Sequence, residues 1–316
     1  MSYYLFIIPA AYVLDLLLGD PQTIWHPVRL IGRLIEELEK RLNNEHYNRK
    51  IAGMVLVVLT TVTVMIAVLG LLRLSAMVHI YLFYGVSILL VYYSLSIKAL
   101  ADEAGKIRKN LENGDMDQAR NDLSMIVGRD TQNLDEPEII RATVETVAES
   151  TMDGIIAPLF YVFLGGPVLV WFYKTVNTLD SMVGYQNERF KEFGWASAKL
   201  DSLLNFIPAK ITSFLISVSM FFCGKNWLNS MRWTVKYIFE GPASNGGTAE
   251  ASMAGGLGVR LGGINFYDSQ AVHKPFIGDA FYPLSTEHIH QSIIVSYVSS
   301  ISMLVMGSIV MGRRWL

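Results

Sequence analysis

Long apolar runs separated by short polar stretches dominate the chain, and their lengths predict membrane-spanning helices. Residues 52–72 carry no charge over about the 20 residues that a bilayer requires. Residues 78–99 form a second apolar run with tyrosines towards both ends, which suits the membrane interface. Only a few residues, including Arg73, join these runs, so we predict a helical hairpin. A third span covers 293–311, and three further runs are short or interrupted, at 3–18, 155–173 and 207–223.

Breaks in the pattern predict bends and loops. Gly165-Gly166-Pro167 interrupts the run at 155–173 and predicts a bent or re-entrant segment. Leucines recur every four residues between 26 and 43, with charges elsewhere, which predicts an amphipathic helix on the membrane surface or on the protein. Glycine-rich residues 239–270 predict a loop region. We expect Pro208 to end the helix that carries Asp201 and Asn205.

The polar stretch 102–154 predicts a helical insertion between the spans. Asn113-Gly114 predicts a turn between its first two helices. A further helix is expected to begin near Pro137, with Asp135 as its N-cap, and to stop at Gly154.

The distribution of positive charge predicts the orientation of the chain. Lysines and arginines flank the predicted hairpin on both sides, so the positive-inside rule places both flanks and the insertion in the cytoplasm. Arg313 and Arg314 indicate a cytoplasmic C-terminus. We therefore predict an all-α fold, a polytopic integral membrane helical bundle with re-entrant or bent segments, forming a single domain over residues 1–316.

Composition supports this class and excludes others. Hydrophobic residues make up 52% of the chain and charged residues 17%, with a mean hydropathy of +0.34, whereas soluble domains carry roughly a quarter charged residues. A net charge of −2 argues against a nucleic-acid partner. The single cysteine, Cys223, excludes a disulfide within the chain, and we expect it to be inert packing.

Charged side chains concentrate after residue 128. At helical spacing, one face carries four of them, namely Arg141, Glu145, Glu149 and Asp153. One positive charge does not neutralise three carboxylates, so this stripe either faces water or holds a metal or a cationic substrate. Just before it, Arg129 and Asp130 offer a phosphate-binding fork beside a metal ligand, or else a surface ion pair.

Two further sets repeat an acid, an amide and a lysine at helical spacing. Asparagine and aspartate at such spacing coordinate Mg²⁺ through water, and lysine binds phosphate as a point charge. The alternative is solvation at the membrane edge. The sets are Lys174, Asn177 and Asp180, and Asp201, Asn205 and Lys210.

The remaining polar clusters lie near the two ends of the chain. Near the N-terminus, a turn with interfacial anchors is the alternative to a binding site formed by Asp15, Asp20, His26 and Arg29. In the glycine-rich region, backbone N–H groups and charge predict an anion site at Asn245, Glu250 and Arg260. Close helix packing through Gly258 and Gly262 is the alternative there.

These motifs, in this order, resemble those of the adenosylcobinamide-phosphate synthase (cobinamide synthase) family of cobalamin biosynthesis. The resemblance covers nearly the whole chain, from DLLLGDP and HPVRLIGRLI through GRDT, VETVAESTMDGIIAPL and YKTVNTLDSMVGY to FGWASAKLDSLLNFIPAK and NGGTAEASMAGGLGVRLGG. Ser150, Ser202 and Lys210 depart from the family pattern. Ser202 leaves Asp201 without the usual second aspartate, and Lys210 keeps a positive charge but loses the bidentate fork of an arginine.

The resemblance implies an ATP-dependent carbon–nitrogen ligase. It would join the propionate carboxylate of adenosylcobyric acid, a corrinoid substrate, to (R)-1-amino-2-propanol or its O-phosphate, with Mg²⁺, on the cytoplasmic side of the cell membrane. We expect a homo-oligomer or later membrane enzymes of the pathway as possible partners. Metal and phosphate would lie at Asp180, Asn177, Asp201 and Asn205. Anionic groups would be bound by Lys174, Lys210, Arg129 and Arg260, and the amine would be oriented or deprotonated by Glu145, Glu149 and Asp153.

Two other function classes fit parts of the pattern. Asn177-x-x-Asp180 and Asp201-x-x-x-Asn205 resemble halves of the aspartate-rich motifs of membrane prenyltransferases, although acids are too sparse for two full motifs. A transporter or signalling protein would carry acids in the middle of full spans and a pseudo-repeat, which the sequence does not show.

Overall fold

The computed structural model describes residues 4–21, 26–44, 46–242, 244–267 and 269–313, and these are mostly helical. Five helical stretches within them are long and apolar enough to cross a membrane, which confirms the predicted class. They are Arg49–Val78, Ile80–Glu112, Glu136–Val183, Trp195–Phe222 and Thr286–Arg313. Arg314, used above for the C-terminal orientation, lies outside the described residues.

The helices follow one another with short connections. In chain order they are α1 (Tyr4–Leu18), α2 (Pro27–Leu42), α3 (Arg49–Val78), α4 (Ile80–Tyr92), α5 (Ile97–Glu112), α6 (Met116–Ser124), α7 (Glu136–Thr151), α8 (Ala157–Val183), α9 (Trp195–Phe222), α10 (Trp227–Glu240), α11 (Asn245–Leu257) and α12 (Thr286–Arg313). An antiparallel hairpin of β1 (Leu261–Tyr267) and β2 (Gln270–Ile277) precedes α12.

The chain divides into two compact units, each built from separated stretches. The first comprises Met1–Ser96, Pro158–Phe206 and Met306–Leu316, and the second comprises Ile97–Ala157 and Ile207–Val305. Both units draw on the apolar helices and on polar segments. The prediction of one membrane-embedded domain remains a prediction.

The first unit contains the predicted hairpin, in which His79 alone separates α3 from α4 and caps α4 by accepting from the Tyr81 N–H. The second predicted span is shorter as a continuous helix than expected, since α4 ends at Tyr92. The amphipathic helix α2 is present, but its buried face differs from the predicted leucine stripe. Ile31, Ile35 and Glu39 are buried, whereas Leu30 is 42% exposed.

The predicted break at Gly165-Gly166-Pro167 is confirmed as a kink within α8. Gly165 and Gly166 have non-helical backbone angles, and Gly166 has a φ of 66°. A Cβ at Gly166 would lie 2.5 Å from the Tyr4 hydroxyl oxygen, so both the angle and the space require glycine here.

The prediction that Pro208 ends a helix is wrong, because α9 runs through it to Phe222. Proline lacks the N–H that would bond the Leu204 carbonyl. The Tyr161 hydroxyl donates to that carbonyl instead, at 2.7 Å. The orphaned acceptor is therefore satisfied and the apolar helix continues.

The second unit confirms the predicted insertion in most respects. Gly114, with a φ of 76°, separates α5 from α6, and Asp135 caps α7 by accepting from the Glu138 N–H at 2.9 Å. The predicted stop at Gly154 is wrong. A π-helical turn, Met152–Ile156, connects α7 directly to α8, and its buried isoleucines outweigh the low helix propensity of glycine.

The predicted glycine-rich loop is also wrong, since residues 239–270 include all of α11 and all of β1. Ser244 caps α11, and Gly258 ends it in the left-handed region. Packing explains the glycines between them. A Cβ at Gly255 would lie 2.7 Å from the Asn229 carbonyl oxygen, so small residues let α10 and α11 approach closely.

A charged cluster fastens α7 to the hairpin. Arg141 donates to the carbonyls of Gly262 at 2.7 Å and Ile264 at 3.0 Å, and to Glu145 at 3.2 Å. Glu145 also accepts from Arg129 at 2.8 Å and from the Gly262 N–H at 2.8 Å. Because Glu145 is 5% exposed, these bonds replace the water that its carboxylate loses.

Replacing Arg141 with alanine is expected to lower the free energy of unfolding by about 3–5 kcal/mol, because it leaves the buried Glu145 carboxylate short of a partner. Thermal unfolding of the purified protein in detergent measures this. The matched control is Arg41→Ala, which breaks an exposed pair with Glu37 and is expected to cost less than about 1 kcal/mol. Equal shifts for the two variants would contradict the assigned role.

Candidate functional site

The charged side chains of helix α7 lie in two different environments. Arg141 and Glu145 are engaged by each other and by the hairpin, so both oxygens of Glu145 are occupied. Glu149 lies one turn further on and faces the start of α11, where a Cβ at Gly246 would lie 2.9 Å from its Oε1. The choice of base between Glu145 and Glu149 remains a prediction.

Glu250 on α11 is a buried acid, 5% exposed. Burial raises its pKa to about 8, with a further contribution from the Glu149 carboxylate, while Lys274 acts in the opposite direction. Burial lowers the pKa of Lys274, whereas Glu250 and the neighbouring negative groups raise it. The resulting pKa lies above the usual pKa of a lysine. The sequence singled out Glu250 but not Lys274, because β2 was not predicted.

In the first unit, amides from two helices hold the carboxylate of Asp201. Asn205 Nδ2 on α9 donates to it at 3.0 Å and Asn177 Nδ2 on α8 at 3.4 Å. The Tyr173 hydroxyl donates to Asn205 Oδ1 at 3.0 Å, and the Lys174 ammonium attracts the same carboxylate electrostatically. The two predicted acid–amide–lysine sets therefore come together in part.

The remaining two members of those sets are Asp180 and Lys210. The Asp180 side chain lies over the end of α8, where a Cβ at Gly184 would come within 2.0 Å of its Oδ1. Lys210 lies on α9 in the second unit.

In the N-terminal motif, the side chains of Asp20 and His26 contact each other. His26 Nε2 lies 2.8 Å from Asp20 Oδ1, and the imidazole is 7% exposed with its edge against Tyr93. Asp15 is fully buried on α1, and Arg29 is exposed on α2. The Asp20–His26 pair fits the structural alternative, since the two side chains contact each other.

The remaining predicted residues lie in the second unit. Asp130 accepts from the Ser269 N–H at 2.8 Å and so anchors the hairpin. Arg260 is exposed, 4.6 Å from the centroid of the Phe276 ring. Asn245 begins α11, and Asp153 lies in the π-helical turn, a feature frequent at functional sites. Because the predicted residues divide between the two units, their convergence in one pocket remains a prediction.

The Asp201 group, which comprises Asp201, Asn177, Asn205 and Lys174, offers one carboxylate and two amides, whereas an all-protein metal cage requires more oxygen ligands. Within the described residues, no group of three or more His, Cys, Asp or Glu side chains is placed to hold a metal. Magnesium binding at Asp201, Asn177 and Asp180 remains a prediction, in which these residues would supplement ligands from a substrate.

Replacing Glu250 with glutamine is expected to remove a pH dependence of stability. Because the folded-state pKa is raised from 4.5 to about 8, the folded protein holds a proton that the unfolded chain has lost, and unfolding free energy falls as pH rises across this window. Unfolding temperatures from pH 5 to pH 8 measure this. Wild type should lose stability relative to Glu250→Gln, and parallel curves would contradict the assignment.

The comparisons with known proteins point to one and the same family. The model of the family described as CobD/CbiB protein matches residues 8–296. A Clostridium perfringens protein named cobalamin biosynthesis protein CobD is 43% identical over 93% of this chain and 94% of its own length. A Geobacter metallireducens protein of the same name is 44% identical, over 88% and 87%.

A Salmonella typhi protein named cobalamin biosynthesis protein CbiB is 40% identical over 92% of both chains. No solved structure matches this chain. The match runs from α1 into α12 and includes every cluster described above. With this coverage and identity, the chain belongs to the CobD/CbiB protein family.

Proposed function

We propose that this protein acts in cobalamin biosynthesis as an ATP-dependent acid–amine ligase. It would join the propionate carboxylate of adenosylcobyric acid to (R)-1-amino-2-propanol or its O-phosphate, giving adenosylcobinamide or its phosphate. The relatives' names support the pathway. The reaction itself rests on the resemblance of the motifs and on the chemistry of the side chains that carry them.

The observation that carries this proposal is the Asp201 group. A carboxylate, two amides and a lysine meet between α8 and α9, two helices that are otherwise largely apolar. Apolar helices rarely hold such groups without a functional reason. A carboxylate beside an ammonium group provides complementary contacts for a metal–phosphate complex.

Each cluster has a role in such a ligation. Bound ATP would supply the phosphoryl group that converts the propionate carboxylate into an acyl phosphate, and bound Mg²⁺ would neutralise phosphate charge. Asp201, Asn177 and Asp180 would orient that complex. The proposed contacts to anionic groups are Lys174, Lys210 and Arg260, with Arg129 already shared with Glu145.

The proposal places the protein in the cell membrane with the reaction on its cytoplasmic side, and the apolar helices and the positive flanks support this placement. The corrinoid is large, and its apolar faces would lie along the membrane surface over the amphipathic helix α2. A detergent-free soluble truncation with full turnover would contradict this part of the proposal.

The direct test is ligation by the purified full chain with adenosylcobyric acid, the aminopropanol or its phosphate, and Mg-ATP. The proposal expects a corrinoid amide and one ADP for each bond formed. Absence of the amide with both forms of the amine, from a folded protein, would reject it. Release of diphosphate from prenyl donors would favour the prenyltransferase alternative.

Asp201→Asn is expected to lower kcat/KM for Mg-ATP by at least about 100-fold, because it removes the charge but keeps the shape of the side chain. Steady-state kinetics at several Mg²⁺ concentrations measure the loss. Asp102→Asn is the matched control, since Asp102 is half exposed and forms a surface pair with Lys98. Wild-type kinetics for the Asp201 variant would remove it from the site.

Asp180→Ala is expected to abolish ligation while the protein still inserts into the membrane. Gly184→Ala tests the same group indirectly, because its Cβ would displace the Asp180 carboxylate. Gly85→Ala is the control, since no heavy atom lies within 4 Å of a Cβ there. Retained activity in Asp180→Ala, with normal membrane extraction, would exclude Asp180 from the mechanism.

A further inference from the structure

A cleft of about 240 Å³ opens in the second unit between the C-terminal end of α10, the start of α11 and strand β2. Tyr237 and Ser244 line one side, Glu250 lies at its base, and His273 and Lys274 line the side formed by β2. Sites for drug-sized ligands span about 300–1,000 Å³, so this cleft suits a molecule of only a few heavy atoms. A corrinoid would not fit in it.

Glu250 is the unusual residue of this cleft. Its side chain is 95% buried, and among the described residues it forms no hydrogen bond or ion pair. A buried carboxyl group without a partner is costly, and such groups in folded proteins normally bind something. Here the open side of the carboxyl group faces the cleft.

The charges around Glu250 come from every element packed against it. Glu149 and, further away, Glu145 act from α7, Arg129 acts from the segment before α7, and Lys274 acts from β2. Tyr237 on α10 lines the same cleft, and a Cβ at Gly247 would lie 1.9 Å from its hydroxyl oxygen. Of these charged groups, Glu250 and Lys274 line the cleft itself, and Glu149 acts on Glu250 from α7.

We propose that this cleft binds the primary amine that is to be acylated, and that Glu250 accepts the proton from its ammonium group. The inference rests on the proposed ligation. It adds a binding site for one substrate and a base, and it excludes Glu145, whose oxygens are occupied by Arg129, Arg141 and the Gly262 N–H.

In the proposed step, the ammonium group transfers one proton to the ionised form of Glu250 and becomes a neutral amine. The amine nitrogen then forms a bond to the carbonyl carbon of the acyl phosphate made with ATP. The bond between that carbon and the phosphate oxygen breaks, and the second amine proton leaves with the inorganic phosphate. Burial raises the pKa of Glu250 to about 8, close enough to neutral pH for this carboxyl group to accept a proton and release it again.

The number of ligands separates an amine from a metal in this cleft. Glu250 is the acid that lines it, and no group of three or more His, Cys, Asp or Glu side chains among the described residues is placed to hold a metal. An ammonium group needs fewer ligands, and it is bound by carboxylates at hydrogen-bonding distance. The cleft therefore fits an organic cation better than a metal.

The test uses two nucleophiles with the same full-length enzyme, corrinoid and Mg-ATP. Hydroxylamine is neutral at pH 7 and attacks an acyl phosphate without a base, whereas the aminopropanol must lose a proton. For Glu250→Gln, the rate of amide formation is expected to fall by about 100-fold or more, the scale of general-base catalysis. Hydroxamate formation should stay near the wild-type rate.

Glu136→Gln is the matched control, because Glu136 is an exposed acid on α7 outside the cleft. It should leave both rates unchanged. A second variant, Glu250→Asp, keeps the acid and should recover part of the amide rate, with a shifted pH profile.

The outcomes separate the two proposals. If wild type forms neither amide nor hydroxamate, the ligation itself is rejected. If wild type forms both and Glu250→Gln loses neither, or loses both equally, the role of Glu250 as base is rejected while the ligation stands. Selective loss of amide formation supports the inference.

Discussion

The carboxylate of Glu145 accepts hydrogen bonds from two arginines and one backbone N–H in a buried position, and much of the second unit depends on this arrangement. Arg141 continues from it to two carbonyls of β1. A short two-stranded hairpin is marginally stable alone. Here its backbone is tied to a helix by charged groups that have lost their water, so the position of β2, and of Lys274 on it, follows from this contact.

Close helix packing in the same unit relies on small and hydroxylated side chains. Ser217, Ser230, Thr234 and Ser252 form a buried chain of hydrogen bonds that joins α9, α10 and α11. Hydroxyl groups of this kind satisfy one another where no water is present, and glycine and serine let the helix axes approach. This packing carries Glu250 into the interior and leaves a small cleft beside it.

The two units contribute different chemistry. The first holds a carboxylate between amides and a lysine, an arrangement that suits metal–phosphate groups. The second holds a buried acid, Glu250, beside a small cleft. In the proposed ligation, activation of the carboxylate and deprotonation of the amine are separate tasks, and each cluster would serve one of them.

The sequence by itself determined the class of fold, the spans, the insertion with its cap at Asp135, the kink at Gly165-Gly166 and the identity of most polar groups. These follow from local rules: the length of an apolar run, the cap of a helix and the freedom of glycine. Spacing along a helix also predicted that Arg141 and Glu145 share a face.

Only the tertiary structure decided which polar groups are already occupied and which face a cleft. Helix α11 contains glycines because its neighbours leave no space for larger side chains. Helix α9 continues past Pro208 because the Tyr161 hydroxyl donates to the carbonyl that a proline N–H cannot reach. The same applies to Glu145 and Glu149, which are alike in sequence and one turn apart. A contact from Gly262, more than a hundred positions away, engages the first, whereas the second lies against the start of α11 and acts on Glu250, and no local pattern contains that information.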